Sequence, residues 1–259
     1  MTTPFDLTHF RALLKTQSFG RNLIFEPSVG STMDLARDAA LHGAAEGTVA
    51  CADEQTAGRG RLGRSWVTPP AVNLASTLVL RPPASLLREI AMMAPLAICH
   101  AVQDVAGIRP DIKWPNDVLV GTKKLAGILI ESDVTDAHRP YVLVGAGINV
   151  NFDPRQYAEI RDIATSIKVE TGSDGDREAL LAAYLLHFEQ IYGAAKAGES
   201  PFGRWRERLV TLGQRVHAAW DGGTADGVAE DVGEDGALIV RTADGRAITL
   251  EAADVTLRA

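Results

Sequence analysis

Cysteine is scarce in this chain of 259 residues: there are two, Cys51 and Cys99. They lie far apart and lack the paired spacing of a zinc site or a disulfide framework, which points to a reducing compartment, the cytoplasm. The opening MTTPFDLTHFRALL does not read as a signal peptide, because it has no basic region ahead of a long apolar run. No stretch reads as a membrane span. The most apolar one, Ile90 to Ala106, carries His100, Gln103 and Asp104 and reads as a core helix. The P-loop pattern GxxxxGK[ST] is absent. The six histidines (His9, His42, His100, His138, His187 and His217) show no metal spacing and no nucleophile partner, which leaves core or surface roles. Nor is there a surplus of positive charge. A net charge of −7 and a pI near 5.4 argue against generic attraction to nucleic acid. Internal repeats and low-complexity segments are lacking too.

What is present is enough apolar content, 46%, for one large domain or a medium and a small one. The most informative stretch is Asp53 to Trp66, DEQTAGRGRLGRSW, where Gly58, Gly60 and Gly63 alternate with Arg59, Arg61 and Arg64. Glycine lets backbone N–H groups approach a ligand closely, and guanidinium groups fork two donors onto a phosphate or carboxylate. The pattern predicts a flexible cationic loop that closes over an anion. A solvated basic turn, or an arginine-rich nucleic-acid contact, stays equally open on this stretch alone.

In chain order, Asp6 caps a short helix to about Lys15, and Asn22 to Phe25 reads as a strand. Ser31 caps a helix to about Ala45, with Asp34 in its first turn. Thr48 to Asp53 and Asn73 to Leu80 read as strands. Leu86 to Val105 is a helix that Pro95 should kink or bound. The run Ile112 to Asp117 is a strand end breaking at Pro115, and Val118 to Glu131 is a hairpin turning at Gly121-Thr122-Lys123. Tyr141 to Asn151 is a strand whose Gly145 and Gly147 leave room for a ligand or a neighbouring backbone. Arg177 to Ala197 and Pro201 to Leu212 are helices. Beyond Gln214, four short strands (Arg215–Trp220, Thr224–Asp231, Ala237–Thr242, Ala247–Leu250) alternate with Asp-Gly and Gly-Gly turns, the texture of a small antiparallel barrel appended to an α+β domain.

Five segments together carry a resemblance. They are Gly30-Ser31-Thr32, Gln55 to Trp66, Lys113-Trp114-Pro115-Asn116-Asp117, Lys124 to Glu131 (KLAGILIE) and Gly145-Ala146-Gly147-Ile148-Asn149. In this order the chain resembles the biotin protein ligase family, the biotin–[acetyl-CoA-carboxylase] ligases, from about Leu23 to Leu257. Too few residues precede Leu23 for the helix-turn-helix domain of the members that double as repressors, so the chain resembles the ligase-only class. Met33 stands where the family often has Asn and cannot supply an amide.

The resemblance implies a class II aminoacyl-tRNA-synthetase-like mixed sheet with flanking helices in residues 1–211, and a C-terminal SH3-like β-barrel in residues 212–259. It implies an enzyme that joins biotin to ATP as biotinyl-5′-AMP, with Mg²⁺ and release of pyrophosphate. Biotin then passes to a lysine of a biotin carboxyl carrier domain of acetyl-CoA or related carboxylases. No nucleic-acid or membrane partner is implied, and the state is a monomer or homodimer in the cytoplasm.

By residue, it implies that Ser31, Thr32 and Gln55, with Met33 beside them, meet the ureido ring of biotin. Arg59, Gly60 and Arg61 surround its carboxylate and the mixed anhydride. Gly127, Gly147 and Trp114 wall the pocket. Lys124 and Arg61 are the catalytic pair, Lys124 facing the charge that develops on the α-phosphate. Arg64 and Trp66 order the loop and the nucleotide, and Asn116 and Asn149 approach the nucleotide together with Arg59 and Arg61. Asp117 either orients Lys124 or the nucleotide, or binds magnesium. The rivals are a lipoate–protein ligase on a related fold, a biotin-sensing nucleic-acid-binding regulator, and a biotin-binding module that releases no pyrophosphate.

Overall fold

The computed structural model describes residues 3–133 and 140–258; His138 lies outside them. Asp6 opens α1 (Leu7–Leu13), its carboxylate accepting from the N–H groups of Thr8 and His9. Strand β1 (Leu23–Val29) leads to α2 (Thr32–Leu41), whose Ser31 N-cap accepts from the Met33 N–H. Then come β2 (Val49–Gln55), β3 (Leu74–Leu80) and α3 (Ile90–Ala106). Pro95 sits inside α3 rather than bounding it, and the residues before Ile90 form a separate short turn at Ala84–Leu86.

The middle of the chain supplies β4 (Asp111–Lys113), β5 (Asp117–Val120), β6 (Lys123–Asp133) and β7 (Tyr141–Ile148). Helices α4 (Ile167–Thr171), α5 (Arg177–Lys196) and α6 (Phe202–Glu207) follow. Helix α6 stops short of Leu212 because its downstream backbone is used otherwise. Ile112 N–H donates to Arg208 O at 2.9 Å and Val210 N–H to Ile112 O at 3.0 Å, which covers the edge strand β4.

Seven strands form one sheet in the order β1-β2-β3-β7-β6-β5-β4, parallel at β1/β2 and antiparallel elsewhere. Strand alternation gives it two unlike faces. Val142, Val144, Ala146 and Ile148 of β7 join the large core with α3 and α5, whereas Tyr141 and Leu143 pack with Met33, Ala36 and Ala40 of α2.

The C-terminal strands are β8 (Arg215–Trp220), β9 (Gly223–Val232), β10 (Leu238–Thr242), β11 (Ala247–Leu250) and β12 (Asp254–Leu257). They form a second antiparallel sheet, β11-β10-β9-β8-β12. Strand β12 was not legible in sequence, and it pairs along β8 rather than with β11. The small sheet is not a free appendage: Val216, Leu238, Val240 and Val255 share the core of the larger one.

Candidate active site

On the α2 face, strand register aligns one row across the sheet: Ala52, Ala75, Gly147, Gly127, Asp117 and Lys113. From β2 to β6 nothing in this row is larger than a methyl group. The neighbouring row, Ala50, Thr77, Gly145 and Leu129, is covered by the start of α2. Met33 Sδ lies where a Cβ on Gly145 would meet it at 2.7 Å, and Thr77 Oγ1 donates to Thr32 Oγ1 at 2.9 Å. Small residues thus leave a slot beside the helix N-terminus, which the Met33 and Trp66 side chains fill. At its margin Gln55 Oε1 accepts from both Thr32 N–H and Oγ1, at 2.9 and 3.1 Å, so Ser31, Thr32 and Gln55 form one polar cluster.

The Gly/Arg loop roofs the slot. Trp66 lies across Gly147 and Gly127, where added Cβ atoms would meet its ring at 2.4 and 3.2 Å. The loop is cross-tied by Gly60 N–H to Arg64 O at 2.6 Å and Trp66 N–H to Gly58 O at 2.9 Å. Gly58 is obligatory at that crossing, since a Cβ would sit 2.4 Å from Trp66 O.

Each loop arginine has a partner. Arg59 forks onto the Asp34 carboxylate through two contacts of 2.7 Å, and Arg37 joins from α2. The Arg59 hydrogen bond, foremost, holds the Asp34 carboxyl down to about 2. Arg61 donates to Asn116 Oδ1 at 3.1 Å and to Ala253 O at 3.4 Å. Arg64 pairs with Asp254 at 2.9 Å. The loop is therefore pinned to α2, to the residue before β5 and to the start of β12.

Lys124 reaches this face because of an irregularity. The β5/β6 register shifts where Val118 faces Ala126 and Leu119 faces Lys124, so Leu125 is the extra residue of a bulge. Leu125 and Ala126 both enter the large core, which swings Lys124 onto the side of Gly127. Its ammonium lies 2.5 Å from Asp117 Oδ1 and 5.5 Å from the centre of the Trp66 ring. Asn116 Nδ2 donates to Ile128 O at 2.6 Å, leaving its oxygen for Arg61.

Three assignments change in the structure. Trp114 does not wall the slot. It lies on the Ile112 side of the sheet, 1% exposed, and its indole N–H donates to Gly236 O at 2.9 Å, so it joins the two sheets. Asn149 is buried with its amide occupied, donating to Thr165 O at 2.9 Å and accepting from Asn73 Nδ2 at 3.3 Å. It braces the chain after β7. Asp117 does not fit a resident magnesium site: Lys124 and Lys113 flank its carboxylate at 2.5 and 4.0 Å, and no cluster of three metal-ligating side chains exists among the described residues.

Sequence reasoning missed Asp34, Asn73, Asp254 and the buried pair Asp53–Arg177. Arg177 Nη1 donates to Asp53 Oδ1 at 2.7 Å, and the same carboxylate accepts the Phe5 N–H, fixing the chain two residues before Gln55. Asp34 had a signal only as a first-turn helix acid. The other partners lie too far away in sequence to show one.

The site thus pairs a side-chain-poor row of the sheet with cations held beside it. The model of the biotin/lipoate A/B protein ligase family matches residues 25–149, and that of the biotin protein ligase C-terminal domain matches residues 211–258. The bifunctional ligase/repressor BirA of Bacillus subtilis is 35% identical over 237 residues, covering 90% of this chain and 73% of that protein. The biotin–[acetyl-CoA-carboxylase] ligase of Mycobacterium tuberculosis is 32% identical, covering 94% and 91%. Among solved structures, the Aquifex aeolicus biotin protein ligase in complex with biotin and ATP superposes with a TM-score of 0.78 at 30% identity, covering 92% of this chain and 99% of that one. The chain belongs to the biotin/lipoate A/B protein ligase family, among its biotin protein ligases.

Proposed function

We propose that the chain activates biotin with ATP to biotinyl-5′-AMP and then transfers the biotinyl group to a lysine of a biotin carboxyl carrier domain of acetyl-CoA or a related carboxylase, in the cytoplasm. Residues 1–211 carry the chemistry and residues 212–259 brace it. The observation that carries this reading is the pairing, on one sheet face, of the Gly127–Gly147 slot with the Arg61 and Lys124 cations at its end.

The bicyclic ring of biotin lies in the slot, with Met33 as an apolar wall and Ser31, Thr32 and Gln55 meeting its ureido group. A ureido group buried there without partners would cost about 1–3 kcal/mol. Arg59, Gly60 and Arg61 meet the carboxylate, which repels the α-phosphate until both are neutralised. A carboxylate oxygen attacks the α-phosphorus, and the bond to pyrophosphate breaks with its electron pair. Lys124 faces the charge that develops in that step, and Asp117 positions Lys124. Arg64 and Asn116 hold the loop in register, and Trp66 closes the slot against water. In the second step a carrier lysine amine attacks the acyl carbon and AMP leaves. Magnesium arrives on the nucleotide phosphates as part of the substrate.

Incubating the purified chain with biotin and MgATP tests the reading. Biotinyl-5′-AMP and pyrophosphate are the expected products, and lipoate should yield no adenylate. Adenylation of lipoate but not biotin would replace this reading with a lipoate ligase.

A further inference from the structure

Lys113 has no role in the scheme above, yet it ends the same row that holds Gly147, Gly127 and Asp117. Directly opposite Asp117 on β4, it shares the α2 face of the sheet. Its ammonium is 4.0 Å from Asp117 Oδ2, while Lys124 takes Oδ1 at 2.5 Å. One carboxylate therefore stands between two ammonium groups, and it is spent on the nearer. Asp254 also acts on Lys113, and it is already engaged by Arg64 at 2.9 Å. Arg61, Arg64 and Lys124 share these two carboxylates with Lys113. The Lys113 side chain retains 22% of its exposure, and burial pushes its ammonium's pKa down. A half-buried cation held at the limit of an ion pair is poorly compensated from within the protein. An anion from outside would compensate it.

We propose that Lys113 is a further substrate-binding residue, whose ammonium holds the pyrophosphate portion of ATP while Lys124 faces the α-phosphate. The inference rests on the ligase reading above. The row supplies the geometry: acid in the slot, α-phosphate at Lys124, and the outer phosphates beyond Asp117 at the sheet edge. When the α-phosphorus bond to the bridging oxygen breaks, the electron pair leaves with pyrophosphate, and Lys113 holds that product rather than the adenylate. Asp117 then acts as a spacer that keeps the two ammonium groups apart and aimed.

The test compares the full-length wild-type chain with Lys113→Gln. The variant should raise KM for MgATP in adenylate formation, and KM for pyrophosphate in the reverse reaction, by about tenfold, the loss of one charge-assisted contact. Biotin affinity without nucleotide should not change. Transfer from preformed biotinyl-5′-AMP to a carrier domain should not change either, because that intermediate lacks the outer phosphates. Lys113→Arg should recover part of the pyrophosphate affinity. An unchanged KM for pyrophosphate overturns the proposal, and so does an equal loss in the transfer step, which marks a structural role. If Lys113→Gln does not fold, amine-reactive labelling of the wild type decides. Pyrophosphate should protect Lys113 but not Lys123, and equal labelling with and without it overturns the proposal. A wild type that makes no adenylate overturns the ligase reading instead, and the labelling comparison still judges Lys113.

Discussion

The indole of Trp66 rests on the backbone of Gly147, with Nε1 and Cε2 each 2.4 Å from where a Cβ would stand. That contact exists only because residue 147 is glycine. Trp66 in turn belongs to a loop whose arginines are tied to three separate parts of the chain. The state of the slot and the state of the loop are therefore one variable.

Gly147→Ala tests that link. The added methyl meets a loop side chain rather than backbone, so the indole moves and β7 stays. Overpacking of this kind costs about 1–3 kcal/mol, a few degrees of Tm in a chain of this size. Adenylate formation should fall by more than about tenfold, because a methyl group in the slot also excludes ligand. Wild-type adenylate formation by Gly147→Ala would show that the slot is not where the acid binds.

The Arg59–Asp34 tie has a defined pH range. The Asp34 carboxyl is held near 2 against an ordinary 3.8, so its contribution is complete above about pH 4 and is lost as pH falls through 2. Amide protection of residues 57–66, corrected for intrinsic exchange, should thus stay flat between pH 5 and 8. Asp34→Asn should lower it throughout that range. Equal protection in the variant would mean that Arg59 does not hold the loop.

Much of the fold was legible because local signals agreed with the tertiary structure. Asp6 and Ser31 cap the helices they were expected to open, and the hairpin at Gly121 is present. The failures have physical causes. Trp114 follows a strand of only three residues, so its face could not be set by alternation alone. Lys124 was chosen by motif, but its aim depends on the bulge at Leu125, which only the β5 pairing reveals. Strand β12 is four residues long and lacks a turn signature ahead of it. Every ion pair that sets the loop joins residues distant in sequence, apart from those within α2 itself.

Arg177 and Asp53 form a buried pair, 4% and 8% exposed at the side chain. Removing one partner strands the other charge, which typically costs about 3–5 kcal/mol, whereas apolar replacement of both costs far less. Arg177→Met should lower Tm by about 10 °C, and adding Asp53→Asn should restore part of the loss. Thermal unfolding monitored by circular dichroism decides. No recovery in the double variant would mean that the pair is not what Arg177 contributes.

Cys51 and Cys99 are both buried, and desolvation pushes each thiol up to about 12. At pH 8 the thiolate fraction is then roughly 10⁻⁴, so disulfide reagents should react only through opening of the fold. Labelling of the native protein should be slow and should speed up when denaturant promotes opening. Rapid stoichiometric labelling at pH 8 would contradict this burial.

Lys124→Ala should slow adenylate formation far more than it weakens biotin binding. In the proposed reaction biotin arrives with its carboxylate met by the loop arginines, while extra charge appears at the α-phosphate only during transfer. A cation aimed there acts on the transition state, so its loss shows in kcat rather than in the biotin Kd. One preorganised charge of this kind is worth about 3 kcal/mol, roughly a hundredfold in rate. Lys124→Arg should recover only part, since a planar fork does not fit where a compact ammonium lies 2.5 Å from Asp117 and packs over Trp66. Lys123 is the internal control. It is exposed, it precedes the bulge, and no ion pair or ring contact is found for it among the described residues. Lys123→Ala should therefore form adenylate at the wild-type rate. Pre-steady-state formation of biotinyl-5′-AMP separates the two alanine variants, and equal rates would remove Lys124 from the reaction.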